Sequence, residues 1–110
     1  MGLLTNKFCK QDEQPFKLPQ MIRKAGKAVG RVQGVGFRVF VRNSARELGA
    51  TGWVKNMADG SVTMELQGEP LIIEQLVDKI KTGRGRIKVT NFELADLPVA
   101  EGEKSFAIRK

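Results

Sequence analysis

Apolar residues recur along this chain with two different periods, and the switches between them mark its elements. Phe37, Val41, Ser44, Ala45 and Leu48 fall three and four apart. That spacing puts them on one face of a helix, and Gly49 is placed to end it. A second stripe, Ile73, Leu76, Val77 and Ile80, follows Pro70 and stops at Gly83. Proline suits a first helical turn, where its missing N–H needs no partner. Between the two stripes Val62, Met64 and Leu66 alternate with Thr63 and Glu65, the period of a strand with one buried face. Strands over 51–57 and 61–67 flank Asp59-Gly60, a pair that tolerates the positive φ of a tight hairpin turn. Residues 87–94 and 105–108 read as two further strands around a charged loop at 98–104. Ahead of the first helix, Ala25, Ala28, Val29 and Val32 predict a short strand, weakly marked because its side chains are small and Gly26 and Gly30 interrupt it.

The order is strand, helix, hairpin, helix, strand, with a short last strand. It predicts an α+β sandwich of the ferredoxin-like kind, one antiparallel sheet with two helices on one face. Residues 1–22 carry Pro15, Pro19 and scattered Gln and Lys without an apolar period, the pattern of a flexible arm. Residues 23–110 then form the domain. A chain of 110 residues, 41% apolar, suffices for one core and is short for two.

No apolar run reaches the roughly 18 residues of a membrane span, and the polar N-terminus does not read as a signal peptide. The expectation is a cytoplasmic monomer with no membrane partner. In the start Met1-Gly2-Leu3-Leu4-Thr5-Asn6, Asn6 stands where a myristoylation signal has Ser or Thr. Cys9 is the one cysteine, so neither an internal disulfide nor a cysteine-based metal site is available.

The formal charge of +7 is uneven: residues 1–50 hold ten basic and three acidic residues, and the remainder holds nine of each. An anionic partner for the first half follows. The segment Gly30-Arg31-Val32-Gln33-Gly34-Val35-Gly36-Phe37-Arg38 joins a strand end to a helix start through a glycine turn. Glycines at 34 and 36 let successive N–H groups converge, and the helix adds its unpaired amides and positive end, a cradle suited to phosphate. A dinucleotide fingerprint would need glycine where Val39 stands, and no Gly-Lys-Ser/Thr follows as in a Walker loop. A glycine turn alone is often only a connection. Arg38 adds the decisive feature: a cation in the first helical turn is misplaced by about 0.3–1 kcal/mol against the helix dipole unless an anion sits between it and the amides. Arginine also grips two phosphate oxygens at once. Arg42 and Arg46, each four residues on, read as a solvated stripe.

Gly30 to Arg38 is similar to the signature loop of acylphosphatases, and Gly52-Trp53-Val54-Lys55-Asn56 resembles their second signature. Asp59-Gly60 and Gly68 are also placed as in that family, and the resemblance covers about 24–110. It implies the ferredoxin-like fold and hydrolysis of the carboxyl-phosphate bond of a small acyl phosphate to carboxylate and inorganic phosphate. No metal, cofactor or covalent intermediate is implied. The backbone of Gln33, Gly34, Val35, Gly36, Phe37 and Arg38 would wrap the phosphate, Arg38 would bind its oxygens, and Asn56 would hold the attacking water. The chain has no histidine or tyrosine, which removes the usual general base and leaves positioning and charge stabilisation. Gln33 is expected to supply only its backbone amide, and Phe37 and Trp53 are expected in the core or a pocket wall. The chain departs from the family in its N-terminal arm, its small-residue first strand, and its Ile108-Arg109-Lys110 end where many animal members have an aromatic residue.

A competing reading is a basic module of the same fold that binds nucleic acid or another anionic partner, encouraged by the net charge and by Arg84, Arg86 and Lys88. Sheet-face binders stack bases on aromatics of central strands, whereas Phe37 and Phe40 fall at a helix start and the hairpin offers only Trp53. Nucleic acid is therefore not the expected partner, and Arg84 to Lys88 are read as solvated.

Overall fold

The structure, a computed structural model, describes residues 20–110. Cys9, the Met1 to Asn6 start and most of the expected arm lie outside the described residues; of that arm Gln20, Met21 and Ile22 are described, and Ile22 already opens the first strand. The elements are β1 (Ile22–Arg31), α1 (Phe37–Leu48), β2 (Thr51–Asn56), β3 (Val62–Gly68), α2 (Pro70–Thr82), β4 (Lys88–Leu97) and β5 (Phe106–Arg109). They build one five-stranded sheet in the order β4-β1-β3-β2-β5. Two β-α-β units interleave: β1 and β2 run parallel with β3 between them, and β3 and β4 run parallel with β1 between them. This is the ferredoxin-like arrangement. Among the described residues no helix is long and apolar enough to cross a membrane.

The sheet departs from the all-antiparallel expectation at one edge, where β5 pairs parallel to β2. The chain leaves β4 at one edge, reverses in the loop at 98–105, crosses the sheet and returns antiparallel to β4, which is the direction of β2. That crossing is latched by Arg23, whose guanidinium is 5% exposed. It donates to Glu65 Oε1 at 2.9 Å, to Gln67 Oε1 at 3.0 Å and to Glu103 Oε1 at 2.8 Å. Gln67 in turn exchanges hydrogen bonds with the backbone of Ala100.

Both helices cover the other face, and the core lies between. Phe37, Val41 and Ala45 from α1 and Ile73, Leu76 and Ile80 from α2 pack on Ala28, Val54, Val62, Met64 and Leu66. β1 is a full ten-residue strand rather than a short one. A Cβ at Gly26 would lie 2.9 Å from Phe92 Cζ and 3.1 Å from Met64 Cγ, so the small residue that weakened the sequence pattern makes room for the Phe92 ring. Gly52 is required more strictly: its φ is +139°, and a Cβ there would sit 1.8 Å from the Glu65 carbonyl oxygen.

The Arg23 latch carries a pH dependence. Burial pushes the Glu103 carboxyl up, but hydrogen bonding and attraction to Arg23 outweigh it and hold the group below its ordinary 4.5. Its stabilisation is therefore complete above 4.5 and is lost as pH falls through the lower folded value. Replacing Arg23 by Ala is expected to cost about 2 kcal/mol of unfolding free energy near neutral pH, below the range for a fully buried pair because both carboxylates retain some exposure. Denaturant unfolding from neutral to acid pH checks both points, and Glu103→Gln should flatten the acid limb.

Candidate active site

β1 ends at Arg31 and α1 begins at Phe37, so five residues make the turn. Gly34 and Gly36 hold φ of +75° and +82°, and a Cβ on either would meet nothing within 4 Å. Backbone direction, not crowding, calls for glycine at both positions. Phe37, 1% exposed, plugs the core and fixes where the helix starts. Gly36 is the residue ahead of that helix and offers no side-chain cap, and the first turn holds no acidic residue. Phe40 N–H is the first to bond back, to Gly36 O at 3.0 Å. Among the described residues no acceptor engages the amides of Gly34 to Val39, which leaves a run of donors at the positive end of α1.

Arg38 stands half-buried in this first turn. Three other arginines are engaged: Arg23 in its latch, Arg42 with Asn43, and Arg46 with the Phe106 carbonyl at 3.0 Å. Arg46 thus ties α1 to β5 instead of belonging to a solvated stripe. Among the described residues Arg38 alone of this helix's arginines has neither hydrogen bond nor ion pair.

Asn56 is the last residue of β2 and pairs with Val62, so its side chain lies on the helix-covered face. Its Oδ1 is buried and lacks a hydrogen-bond partner among the described residues. Buried acceptors are seldom left so, and the atom keeps an unmet capacity to accept a hydrogen bond.

Gln33 joins the turn to the hairpin that carries Asn56. Its Nε2 donates to Met57 O at 2.8 Å and to Ser61 O at 2.9 Å. The hairpin is firm in itself: Asp59 Oδ1 accepts from Ser61 N at 2.9 Å and Ser61 Oγ at 2.5 Å, and Met57 N donates to Ser61 O. The Ser61 hydroxyl and amide hold the Asp59 carboxyl below its usual value, so the turn is anchored by an ionised group. A side-chain role for Gln33 was not legible in the sequence, because its partners are backbone carbonyls 24 and 28 residues away.

A groove of about 470 Å³ opens beside the turn at Val35 and Gly36 and runs along α1 past Phe40 toward Glu47. The segment after α2, Arg84 to Ile87, forms its other wall. Arg38 and Asn56 do not line it. Trp53 projects from the face away from the helices, where it is a wall of a surface hollow rather than core, and with the Arg109 guanidinium 4.8 Å from its ring centroid it is not a free stacking platform. Among the described residues no group of three or more His, Cys, Asp or Glu is placed to hold a metal ion.

Comparison with known proteins fits this geometry. The family model described as Acylphosphatase matches residues 25–108. The acylphosphatase of Clostridium beijerinckii is 46% identical over 89 residues, 81% of this chain and 99% of that protein. That of Bifidobacterium longum is 38% identical over 82% of this chain and 94% of its own length. The crystal structure of acylphosphatase from Bacillus subtilis superposes with a TM-score of 0.77 at 35% identity, covering 81% of this chain and 99% of that one. With a match of this extent across both the uncapped helix turn and the hairpin it is tied to, the chain belongs to the acylphosphatase family.

Proposed function

We propose that the protein hydrolyses acyl phosphates at the start of α1, with the backbone of Gln33 to Arg38 and the Arg38 guanidinium around the phosphoryl group and Asn56 on the attacking water. The observation that carries this is Arg38, a cation in the first turn of an uncapped helix with no acidic residue in that turn and no partner among the described residues. The positive helix end and the guanidinium repel each other, and a dianionic phosphoryl group placed between them would attract both and accept hydrogen bonds from both.

The chemistry asks little else of the protein. Water oxygen forms a bond to phosphorus while the phosphorus–oxygen bond to the acyl carboxyl breaks, and the electron pair leaves with the carboxylate. Carboxylate is a stable leaving group and needs no general acid. One water proton passes to a phosphoryl oxygen of the substrate, giving inorganic phosphate. The amides and Arg38 neutralise charge on the equatorial oxygens through the transition state. Asn56 Oδ1 has no partner among the described residues where it lies buried; with its amide turned toward the free amides of the turn, it accepts one water hydrogen and so directs a lone pair toward phosphorus. Neither a metal nor a cofactor has a part in these steps. One chain supplies all the groups, which supports a monomer; the cytoplasm is its proposed compartment.

Turnover is tested with a synthetic aryl acyl phosphate in chelator, by release of carboxylate and phosphate. The parent should be active, and an inert, folded parent would overturn the reading. Arg38→Ala should lose about a thousandfold or more in kcat/KM, the scale of removing a main charge-stabilising donor. Asn56→Ala should lose about a hundredfold or more in kcat with KM nearly unchanged, because it touches water and not substrate.

Gln33→Ala removes two hydrogen bonds that hold the turn against the hairpin, so the amides and the Asn56 water lose their fixed relation. We expect about a tenfold loss in kcat/KM, corresponding to about 1.4 kcal/mol. Steady-state kinetics beside thermal unfolding checks this, and activity should fall much further than stability.

A further inference from the structure

The groove that opens at Val35 and Gly36 has no part in the mechanism above, yet it begins at the cradle itself. In-line displacement fixes where the rest of the substrate goes, because the leaving oxygen departs on the side of phosphorus opposite the water. Asn56 holds the water on the β2 side. β2 and β4 lie on opposite sides of the central strands β1 and β3. The two flanks of α1 can be told apart by their contacts: Arg46 reaches the Phe106 carbonyl of β5, while Glu47 pairs with Lys79 of α2 at 2.7 Å. Arg38, Arg42 and Arg46, spaced by four, follow the first flank, and Gly36, Phe40 and Asn43 follow the second. The groove therefore lies on the flank away from Asn56, where the acyl end of an in-line substrate points.

Its lining selects among acyl groups. Val39, 44% exposed, and Phe40 offer apolar surface for a carbon skeleton. Opposite them stand Arg84 and Arg86, both exposed and, among the described residues, in no ion pair. The third cation of the groove, Lys79, is engaged by Glu47. The turn that carries the arginines is held in shape: Gly83 and Gly85 take φ of +73° and +61°, Ile87 N–H bonds to Arg84 O at 3.1 Å, and Ile87 is buried beneath it. Two guanidinium groups on a defined turn, neither in a contact ion pair among the described residues although Glu47 attracts Arg84 from across the groove, stand opposite apolar surface beyond a phosphate site and complement an apolar spacer that ends in negative charge.

We propose that this groove receives the acyl end of the substrate, and that Arg84 and Arg86 make the enzyme prefer acyl phosphates whose acyl group carries a second anionic group remote from the phosphoryl. The inference rests on the acyl phosphate reading of the cradle and adds a substrate class to it.

The test compares 4-carboxybenzoyl phosphate with the neutral 4-carbamoylbenzoyl phosphate, each rate normalised to its uncatalysed hydrolysis. The parent should favour the carboxylate about five- to tenfold in kcat/KM, the scale of two exposed charge contacts. That ratio should fall toward one in Arg84→Ala/Arg86→Ala, shrink as salt is raised, and invert in Arg84→Glu/Arg86→Glu, a reversal that a merely structural role for the turn would not produce. A parent without the preference, or a ratio that survives both double substitutions, overturns the proposal. Failure of the parent on both substrates would instead count against the hydrolase reading itself.

Discussion

The site depends on one electrostatic mismatch, a positive helix end that carries a positive side chain in its first turn. In most helices the first turn is closed by a Ser, Thr, Asp or Asn cap, which satisfies amides and stabilises by about 1 kcal/mol. Here Gly36 takes that position with a left-handed backbone and no side chain, and Arg38 follows where an acidic residue would ordinarily be favourable. The chain forgoes local stability at this point, a deficit that an anion placed at the turn would remove.

The rest of the fold holds that mismatch in place. Phe37 in the core sets the origin of α1, so the free amides cannot slide toward another acceptor. Gln33 joins the turn to the β2–β3 hairpin, and Asp59 and Ser61 stiffen the hairpin from within. Asn56 sits at the strand end that this hairpin closes, so its unpartnered oxygen shares one rigid frame with the cradle. On the remote face the Arg23 latch holds the crossing loop that delivers β5, and β5 in turn receives Arg46 from α1. Pre-set geometry of this kind is what a reaction without a general base requires, since positioning must supply most of the rate.

How much could be read from sequence follows from how local each feature is. The two helices were legible because their stripes are long and periodic, and α1 runs over the very residues its pattern marks. The hairpin followed from Asp59-Gly60, and the uncapped glycine turn ahead of α1 from glycine spacing. β1 was under-read because Gly26 looks like a defect until Phe92 from another strand fills the space. The parallel pairing of β5 was not legible, since it depends on a loop that crosses the whole sheet and is fastened by Arg23, eighty residues from Glu103. Gln33 failed for the same reason, its partners being backbone carbonyls of the hairpin. Asn56 on residue pattern alone was an ordinary strand-end asparagine, and resemblance to the family singled it out; its buried, unpartnered oxygen is a physical reason that only the fold provides.

The claim that an anion resolves the mismatch at α1 is tested most directly by thermal unfolding of the parent and of Arg38→Ala, each with and without inorganic phosphate. A ligand that binds only the folded state stabilises it by RT ln(1 + [L]/Kd), so the parent's Tm should climb with phosphate. Without phosphate the variant should be at least as stable as the parent, having lost a misplaced cation, and it should gain little when phosphate is added. A parent indifferent to phosphate, or a variant that responds as the parent does, would contradict the account.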